Sequence, residues 1–343
     1  MTPRLPQRRL TRQGEAAVNG LESHWYRTTP LTLLLLPLSW LFCAVALARR
    51  WAYRSGLLKT VRLPVPVIVV GNISVGGTGK TPMVAWLVAL LRKAGYRPGI
   101  ISRGYGGGAD HWPQPVRADS DPSQVGDEAV LLARRCRCPM AVGPDRPAAA
   151  RALLQDADCD IIISDDGLQH YRLERDVEIA VVDGVRRFGN GHCLPAGPLR
   201  EPVRRLRSVD VVIANGSAGA REYAMELRPA SLCNLLHDEQ TRPLQQFAGQ
   251  SVHAVAGIGN PRRFFELLTR HGLAVIEHPF ADHHPFCAGD LDFGDELPVL
   301  MTEKDAVKCQ AFAKAHHWCL PVDAQLDERV SQILLRLIGK TYG

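Results

Sequence analysis

Residues 65–81, V-P-V-I-V-V-G-N-I-S-V-G-G-T-G-K-T, constrain what this chain can fold into more than any other stretch. Residues 65–70 are short, uncharged and mostly β-branched, the pattern of a strand buried on both faces of a parallel sheet. A glycine-rich turn follows. Gly76, Gly77 and Gly79 keep Cβ atoms out of the way of backbone N–H groups converging on an anion. Lys80 adds a point charge, and Thr81 a hydroxyl suited to Mg²⁺. Pro82 stands where a helix begins, and residues 83–92 continue as an apolar helical run. Strand, phosphate loop and helix in this order predict a nucleotide-triphosphate site. The loop departs from G-x-x-x-x-G-K-[ST] by carrying Ser74 at the first glycine position, and Gly71 lies three residues too early to replace it. A glycine turn that merely closes a strand is the plain alternative, and G-K-T at a strand-to-helix junction argues against it.

The second constraint is residues 31–48, which contain no charged residue and end at Arg49 and Arg50. That length is at the short limit for crossing a hydrocarbon core of roughly 30 Å, and Pro37 predicts a kink. A single span and a half-inserted anchor both fit. A signal peptide does not, because the run starts late and Arg-Arg-Trp-Ala-Tyr-Arg follows it without a small-residue cleavage site. Basic residues flank both ends, so charge bias leaves orientation open. Residues 1–30 carry five arginines and little apolar periodicity, as in a mobile or surface-lying arm. With 46% hydrophobic residues in a chain of 343, about two domains with real cores are expected. The formal charge of +6 is spread along the chain, which suits an anionic substrate or membrane surface without implying nucleic acid. Nine irregularly spaced cysteines give no disulfide framework and point to a reducing compartment, and a metal site at Cys136 and Cys138 lacks a second ligand pair.

Further along, D-I-I-I-S-D-D puts Asp165 and Asp166 directly after a β-branched strand. Strand ends of this kind line the ligand crevice of nucleotide-binding sheets, where a carboxylate holds Mg²⁺ directly or through water. In L-P-A-G-P-L-R-E, two prolines and a glycine present Arg200 and Glu201 on a rigid loop, a phosphate contact beside a metal contact. S-R-G-Y-G-G-G either wraps a ligand or forms a flexible surface loop. Met140 to Gly143 leads into the turn G-P-D-R. Asp127 reads first as a helix cap. Residues 225–236 alternate like a hairpin-like connection, and the pattern restarts at residue 251 as a second, smaller α/β unit. Its A-D-H-H-P-F carries His283 and His284, adjacent loop histidines too isolated to suggest zinc. The expected division is an arm and anchor over 1–48, a phosphate-loop domain over 49–225 and a smaller domain over 226–343. The expected class is α/β, a phosphate-loop NTPase-like, mostly parallel sheet with helices on both faces.

Taken in order, G-N-I-S-V-G-G-T-G-K-T-P, S-R-G-Y-G, G-D-E, G-P-D-R, D-D-G-L-Q-H, L-P-A-G-P-L-R-E, D-H-H-P-F and T-E-K-D-A-V-K resemble the motifs of the tetraacyldisaccharide 4'-kinases of lipid A synthesis. The resemblance runs from about residue 31 onward, and Ser74 belongs to that family's own loop. It implies a Gram-negative inner-membrane enzyme facing the cytoplasm. That enzyme transfers the ATP γ-phosphoryl group to the 4'-hydroxyl of a tetraacylated glucosamine disaccharide 1-phosphate, an anionic glycolipid in the membrane, to form lipid IV-A. By motif position it implies ATP phosphate binding by Ser74, Val75, Gly76, Gly77, Thr78, Gly79, Lys80 and Thr81, with Arg200 neutralising phosphate charge. It places Thr81, Asp165, Asp166 and Glu201 around Mg²⁺. Asp127 of G-D-E matches the catalytic aspartate and His283 the histidine paired with it; only motif register separates His283 from His284. If that histidine comes from the second domain, its pairing is expected on domain closure.

The alternative from another class is a membrane-tethered nucleotide switch acting on a protein partner, which the loop and anchor alone would support. It has no use for a second domain that supplies polar residues. A soluble small-molecule kinase is disfavoured by the length of the apolar run, and no protein partner is implied.

Overall fold

The apolar run folds as one helix, α1 (Pro30–Arg54), in the computed structural model, which describes residues 24–342 and side chains up to 339. The arm expected before it falls largely on residues 1–23, outside the described residues. Thr29 caps the helix reciprocally: its hydroxyl accepts from the Thr32 amide and the Thr32 hydroxyl accepts from the Thr29 amide. The helix continues through Pro37.

The first α/β unit follows with β1 (Val67–Gly71), α2 (Lys80–Lys93), β2 (Pro98–Ser102), β3 (Gln114–Pro115), α3 (Pro122–Val125) and α4 (Asp127–Cys136). It goes on through β4 (Met140–Val142), α5 (Arg146–Asp156), β5 (Ile161–Asp165), β6 (Val177–Asp183), β7 (Val211–Asn215) and β8 (Tyr223–Pro229). The second unit holds β9 (Leu232–Asn234), β10 (Thr241–Arg242), β11 (Ser251–Ala256), α6 (Pro261–Arg270), β12 (Ala274–Pro279), β13 (Val299–Thr302), α7 (Glu303–Cys309) and β14 (His317–Leu320). The chain then returns to the first unit with β15 (Val322–Leu326) and α8 (Glu328–Tyr342).

The larger sheet has nine strands in the order β15-β8-β7-β6-β1-β5-β2-β4-β3, all parallel except the two edge strands. The unbroken apolar character of β1 is explained by its central place. Ile68 and Val70 pack with α2 and α4 on one face, and Val67 and Val69 pack with α5 on the other. The smaller sheet runs β10-β9-β14-β13-β11-β12, and β9 alone of these strands is antiparallel to its neighbours, pairing so with both β10 and β14.

Two sequence expectations change here. The alternating residues 225–236 are not a hairpin, because β8 belongs to the first sheet and β9 to the second. The boundary expected at 225/226 therefore falls inside β8, and the second unit is an insertion, since β15 pairs with β8 and α8 packs on the first core. Val330, Leu334 and Ile338, one helical face of α8, are buried there; at about 1.5–3 kcal/mol per fully buried aliphatic side chain, that face has reason to return. Residues 140–142, which lead into G-P-D-R, form strand β4.

Parallel strands end on one edge. Gly71, Ser102, Val142, Asp165, Asp183 and Asn215 all terminate their strands there, so the loops after them converge on one crevice.

Candidate active site

The phosphate loop is held from three sides. Asn72, fully buried, donates from its amide to the Gly76 carbonyl and the Thr78 hydroxyl, each at 3.4 Å. Residues 198–200 run beside the first half of the loop, with the Val75 N–H donating to the Pro198 carbonyl (2.8 Å) and the Arg200 N–H to that of Ile73 (2.7 Å). At the far end Asn215 donates to the Thr78 carbonyl (3.2 Å). Gly79, the residue before α2, has φ +95°, and a Cβ there would lie 2.8 Å from the Asn215 amide nitrogen. Only glycine meets both demands. Ser74 and Thr78 are buried, while Gly76 and Gly77 are exposed, leaving backbone N–H groups as the accessible donors ahead of Lys80 and Thr81 in the first turn of α2.

Asp166 stands against this loop. Its φ of +47° turns the chain sharply at the end of β5. Its carboxylate lies 3.5 Å from Lys80 Nζ and 3.0 Å from an Arg200 guanidinium nitrogen. Burial pushes the group up, but Lys80 and Arg200 outweigh burial and hold it well below the usual carboxylate range. Asp165 is the opposite case. Ser102 donates to its Oδ2 (3.2 Å), while its buried Oδ1 has no hydrogen-bond partner. Burial, with the charges of Asp166 and Glu128, raises its pKa to about 7. Glu201 is buried and occupied: it accepts from Gln169 (2.9 Å) and from the Tyr171 hydroxyl, with Arg205 at 3.7 Å. Gln169 also donates to the Asn72 carbonyl (3.0 Å), so D-D-G-L-Q-H ties Glu201 to the base of the phosphate loop.

Among the described residues no three His, Cys, Asp or Glu side chains converge as a self-sufficient metal site. That suits Mg²⁺, which is held by one or two carboxylates together with substrate phosphates and water. The unpartnered Oδ1 of Asp165 is the oxygen with most to gain from a cation. Thr81 and Asp166 stand on the same edge, whereas Glu201 already has its neighbours.

Asp127 opens α4, but Gly126 is the capping residue, so the cap reading is corrected by one position. Gly126 has φ +94°, and a Cβ on it would sit 2.4 Å from the Tyr105 carbonyl oxygen. The S-R-G-Y-G-G-G loop therefore closes onto residues 124–126 instead of waving free; the Gly108 N–H donates to the Ser123 carbonyl at 2.8 Å. The buried Asp127 carboxylate accepts from the Glu128 N–H (2.9 Å) and meets His283 Nδ1 at 3.1 Å. Burial raises Asp127, but the His283 hydrogen bond and the Lys304 charge more than offset this and leave it below the usual range. The same hydrogen bond raises His283, against burial and Lys304. His284 turns elsewhere, to Asp290 at 3.1 Å. The pair across the two units is formed in this structure.

Several residues here were not singled out by sequence. Arg146 of G-P-D-R is almost fully buried and donates to the carbonyls of Gly143 (3.0 Å) and Asp165 (3.1 Å); burial lowers its pKa to about 10. Gln169, Tyr171 and Arg205 surround Glu201, Asn215 joins the loop to Arg263 of α6 (3.1 Å), and Lys304 joins α7 to α4. Asn215 carried a readable signal, a polar residue ending an apolar strand. The others did not: for Arg146, Gln169, Tyr171 and Lys304 the decisive partners, Asp165, Glu201 and Glu128, lie far along the chain, and Arg205, four residues from Glu201, reads in sequence only as one more surface arginine.

Comparison with known proteins agrees with the geometry. The family model described as tetraacyldisaccharide-1-P 4'-kinase matches residues 31–339. A tetraacyldisaccharide 4'-kinase of Nitrosococcus oceani is 56% identical over 317 residues, covering 92% of this chain and 93% of the relative. One of Alkalilimnicola ehrlichii is 55% identical over 331 residues, covering 94% and 99%. Among solved structures, "apo" form LpxK from Aquifex aeolicus in complex with ATP superposes with a TM-score of 0.77 at 30% identity, covering 90% of this chain and 99% of the other.

Proposed function

This chain belongs to the tetraacyldisaccharide-1-P 4'-kinase family, and from that premise we propose how its own residues carry the reaction. The enzyme transfers the γ-phosphoryl group of ATP to the 4'-hydroxyl of a tetraacyldisaccharide 1-phosphate in lipid A biosynthesis. The reading is carried by one convergence: Lys80 and Arg200 meet at Asp166 beside the phosphate loop, while Asp127 and His283 meet on the same sheet edge.

Phosphoryl transfer needs positioning and charge neutralisation more than covalent chemistry. The N–H groups of residues 74–81 cradle the ATP phosphates, and Lys80 and Arg200, parked on Asp166, supply positive charge where the γ-phosphoryl group moves. Asp165, Asp166 and Thr81 would hold Mg²⁺, with Glu201 ordering the shell behind them; when bound, the ion offsets charge on the transferring group. Asp127 accepts the proton of the attacking 4'-hydroxyl, and His283 holds the carboxylate in register. The nucleotide-switch alternative has no role for this second group.

α1 anchors the chain to the membrane by lying along it. At about 1.5 Å per residue its 25 residues are long enough to cross. Yet one stripe of it touches the protein body along its length. Thr32 is buried, the Ser39 hydroxyl donates to the Cys193 carbonyl (2.7 Å), Arg50 donates to Ser208 (2.6 Å) and Tyr53 meets Tyr171 (6.1 Å between rings). A spanning helix would carry residues 192–199 into hydrocarbon, where irregular backbone lacks partners. The opposite side, with Leu34, Leu38, Leu41 and Val45, is exposed and suited to the acyl boundary. ATP use places the two α/β units on the cytoplasmic face, with an anionic glycolipid as the membrane-borne partner.

The deciding experiment incubates detergent-solubilised protein with γ-labelled ATP, Mg²⁺ and tetraacyldisaccharide 1-phosphate. Label is expected at the 4'-position of the lipid. Release of free phosphate with no labelled lipid would instead favour the switch.

A further inference from the structure

The N-terminus of α7 brings up a side chain that the chemistry above leaves unused. Lys304, only 15% exposed at its side chain, lies 3.2 Å from His283 Nε2, 3.1 Å from Glu128 Oε1 and 3.2 Å from Asp282 Oδ1. An ammonium group has hydrogens to donate and no lone pair to accept with. The imidazole nitrogen facing it must therefore be the acceptor. Nε2 is then bare, and the ring proton sits on Nδ1, where it is donated to Asp127 Oδ2 at 3.1 Å.

We propose that Lys304 is a positioning residue that keeps His283 as the neutral, Nδ1-protonated tautomer, so that the ring orients Asp127 without setting a full positive charge beside it. The inference rests on reading Asp127 as the proton acceptor. An imidazolium at that distance would stabilise the ionised aspartate and blunt it as a base; a neutral donor orients it at smaller cost. The groups that face His283 are Asp127 from α4, Asp282 from its own loop, Lys304 from α7 and the Tyr105 ring, 5.4 Å away between centroids. The two carboxylates favour protonation of the ring, and the Asp127 hydrogen bond leaves its pKa above the ordinary histidine value; Lys304 is the cation that opposes them and keeps that rise in check. Lys304 itself stays charged: burial pulls its pKa down, but Glu128, Asp127 and Asp282 raise it above the ordinary lysine value. A purely structural role, tying α4 to α7, is already filled by Arg135 and Glu303 at 2.7 Å.

The test compares kcat–pH profiles of the full-length, detergent-solubilised enzyme with those of Lys304→Met and Lys304→Arg. Losing the cation makes His283 easier to protonate. In Lys304→Met the acid limb should move up by about one pH unit, a roughly tenfold loss below the limb that is recovered at alkaline pH. Lys304→Arg, which keeps charge and donors, should stay near the parent limb. An unmoved limb, or a pH-independent loss shared by both variants, overturns the proposal. Long-range ¹⁵N–¹H spectra, with His283 signals assigned from His283→Gln, read the ring directly. The parent should keep Nε2 bare down to a lower pH than Lys304→Met does; identical spectra across the pH range overturn the proposal. That readout does not depend on turnover. If Asp127→Ala and His283→Ala keep the parent kcat, the proton-acceptor reading fails by itself while the spectra still decide what Lys304 does to the ring.

Discussion

His283 Nδ1 lies 3.1 Å from Asp127 Oδ2 although the residues are 156 positions apart and belong to different α/β units. One is at the first turn of α4, the other in a loop after β12 at a backbone φ of +61°. General-base assistance contributes about 10²- to 10⁴-fold, so Asp127→Ala should lower kcat by that order with little effect on ATP binding. His283→Ala should act by the same route. The double variant is then expected to lose little more than either single one, because the second change removes help already gone. Losses that multiply, measured at saturating ATP and lipid, would separate the two residues into independent roles.

Lys80→Ala removes the charge that meets the transferring phosphoryl group. Nearly all turnover should disappear, while the thermal transition stays close to the parent's, since Asp166 retains Arg200. Near-parental kcat in a folded variant would remove the phosphate-loop assignment.

Asp165 gives a pH-dependence with a definite sign. Burial, reinforced by Asp166 and Glu128, raises its pKa to about 7. The folded state therefore holds this proton more tightly than the unfolded chain does. Its stabilising contribution is present at acid pH and is lost as pH rises through about 7. Mg²⁺ needs the ionised form, so the metal competes with the proton. In saturating non-hydrolysable ATP analogue, Mg²⁺ should raise Tm more at alkaline than at mildly acid pH. Asp165→Asn should abolish that difference; equal Mg²⁺ increments on both sides of neutrality in the parent would take Asp165 out of the metal site.

Gly126→Ala tests the loop that carries Asp127. The new Cβ would meet the Tyr105 carbonyl at 2.4 Å, in a backbone region that L side chains disfavour. A strain of about 1–3 kcal/mol is expected, read as a lower Tm, together with a fall in kcat as Asp127 shifts. Unchanged Tm and kcat would show that residues 104–107 can move aside freely.

Leu34→Asp with Leu41→Asp changes the outward side of α1 without touching Ser39 or Arg50. Vesicle flotation should be lost while activity on substrate in mixed micelles is largely kept. Cysteine-accessibility mapping from outside sealed inverted and right-side-out vesicles should find both ends of α1 on one side. Opposite sides would restore a transmembrane span.

Much of this protein was written locally. The β-branched run before residue 71, the glycines and G-K-T at the strand-to-helix junction, and the carboxylates ending the next apolar strand all depend on interactions within a few residues. Their meaning survives without knowledge of the rest. The order of the longer motifs added the family. Distant pairings were not written in that way. That β8 and β15 share an edge, making the second unit an insertion, depends on which exposed strand edges are free after the first sheet forms and on the apolar face of α8 finding cover there. That Glu201 is occupied by Gln169 and Tyr171, while Asp165 keeps a bare buried oxygen, depends on burial, which no spacing encodes. His283 and His284 are indistinguishable as letters. The left-handed backbone at His283 and the seat of Lys304 at the head of α7 aim one ring at Asp127, and Asp290 takes the other. Sequence determined the chemistry available at the sheet edge, because strand, loop and helix follow from short-range physics. Tertiary structure decided which groups meet, because charge and proton position depend on neighbours that only the folded chain brings within about 3 Å.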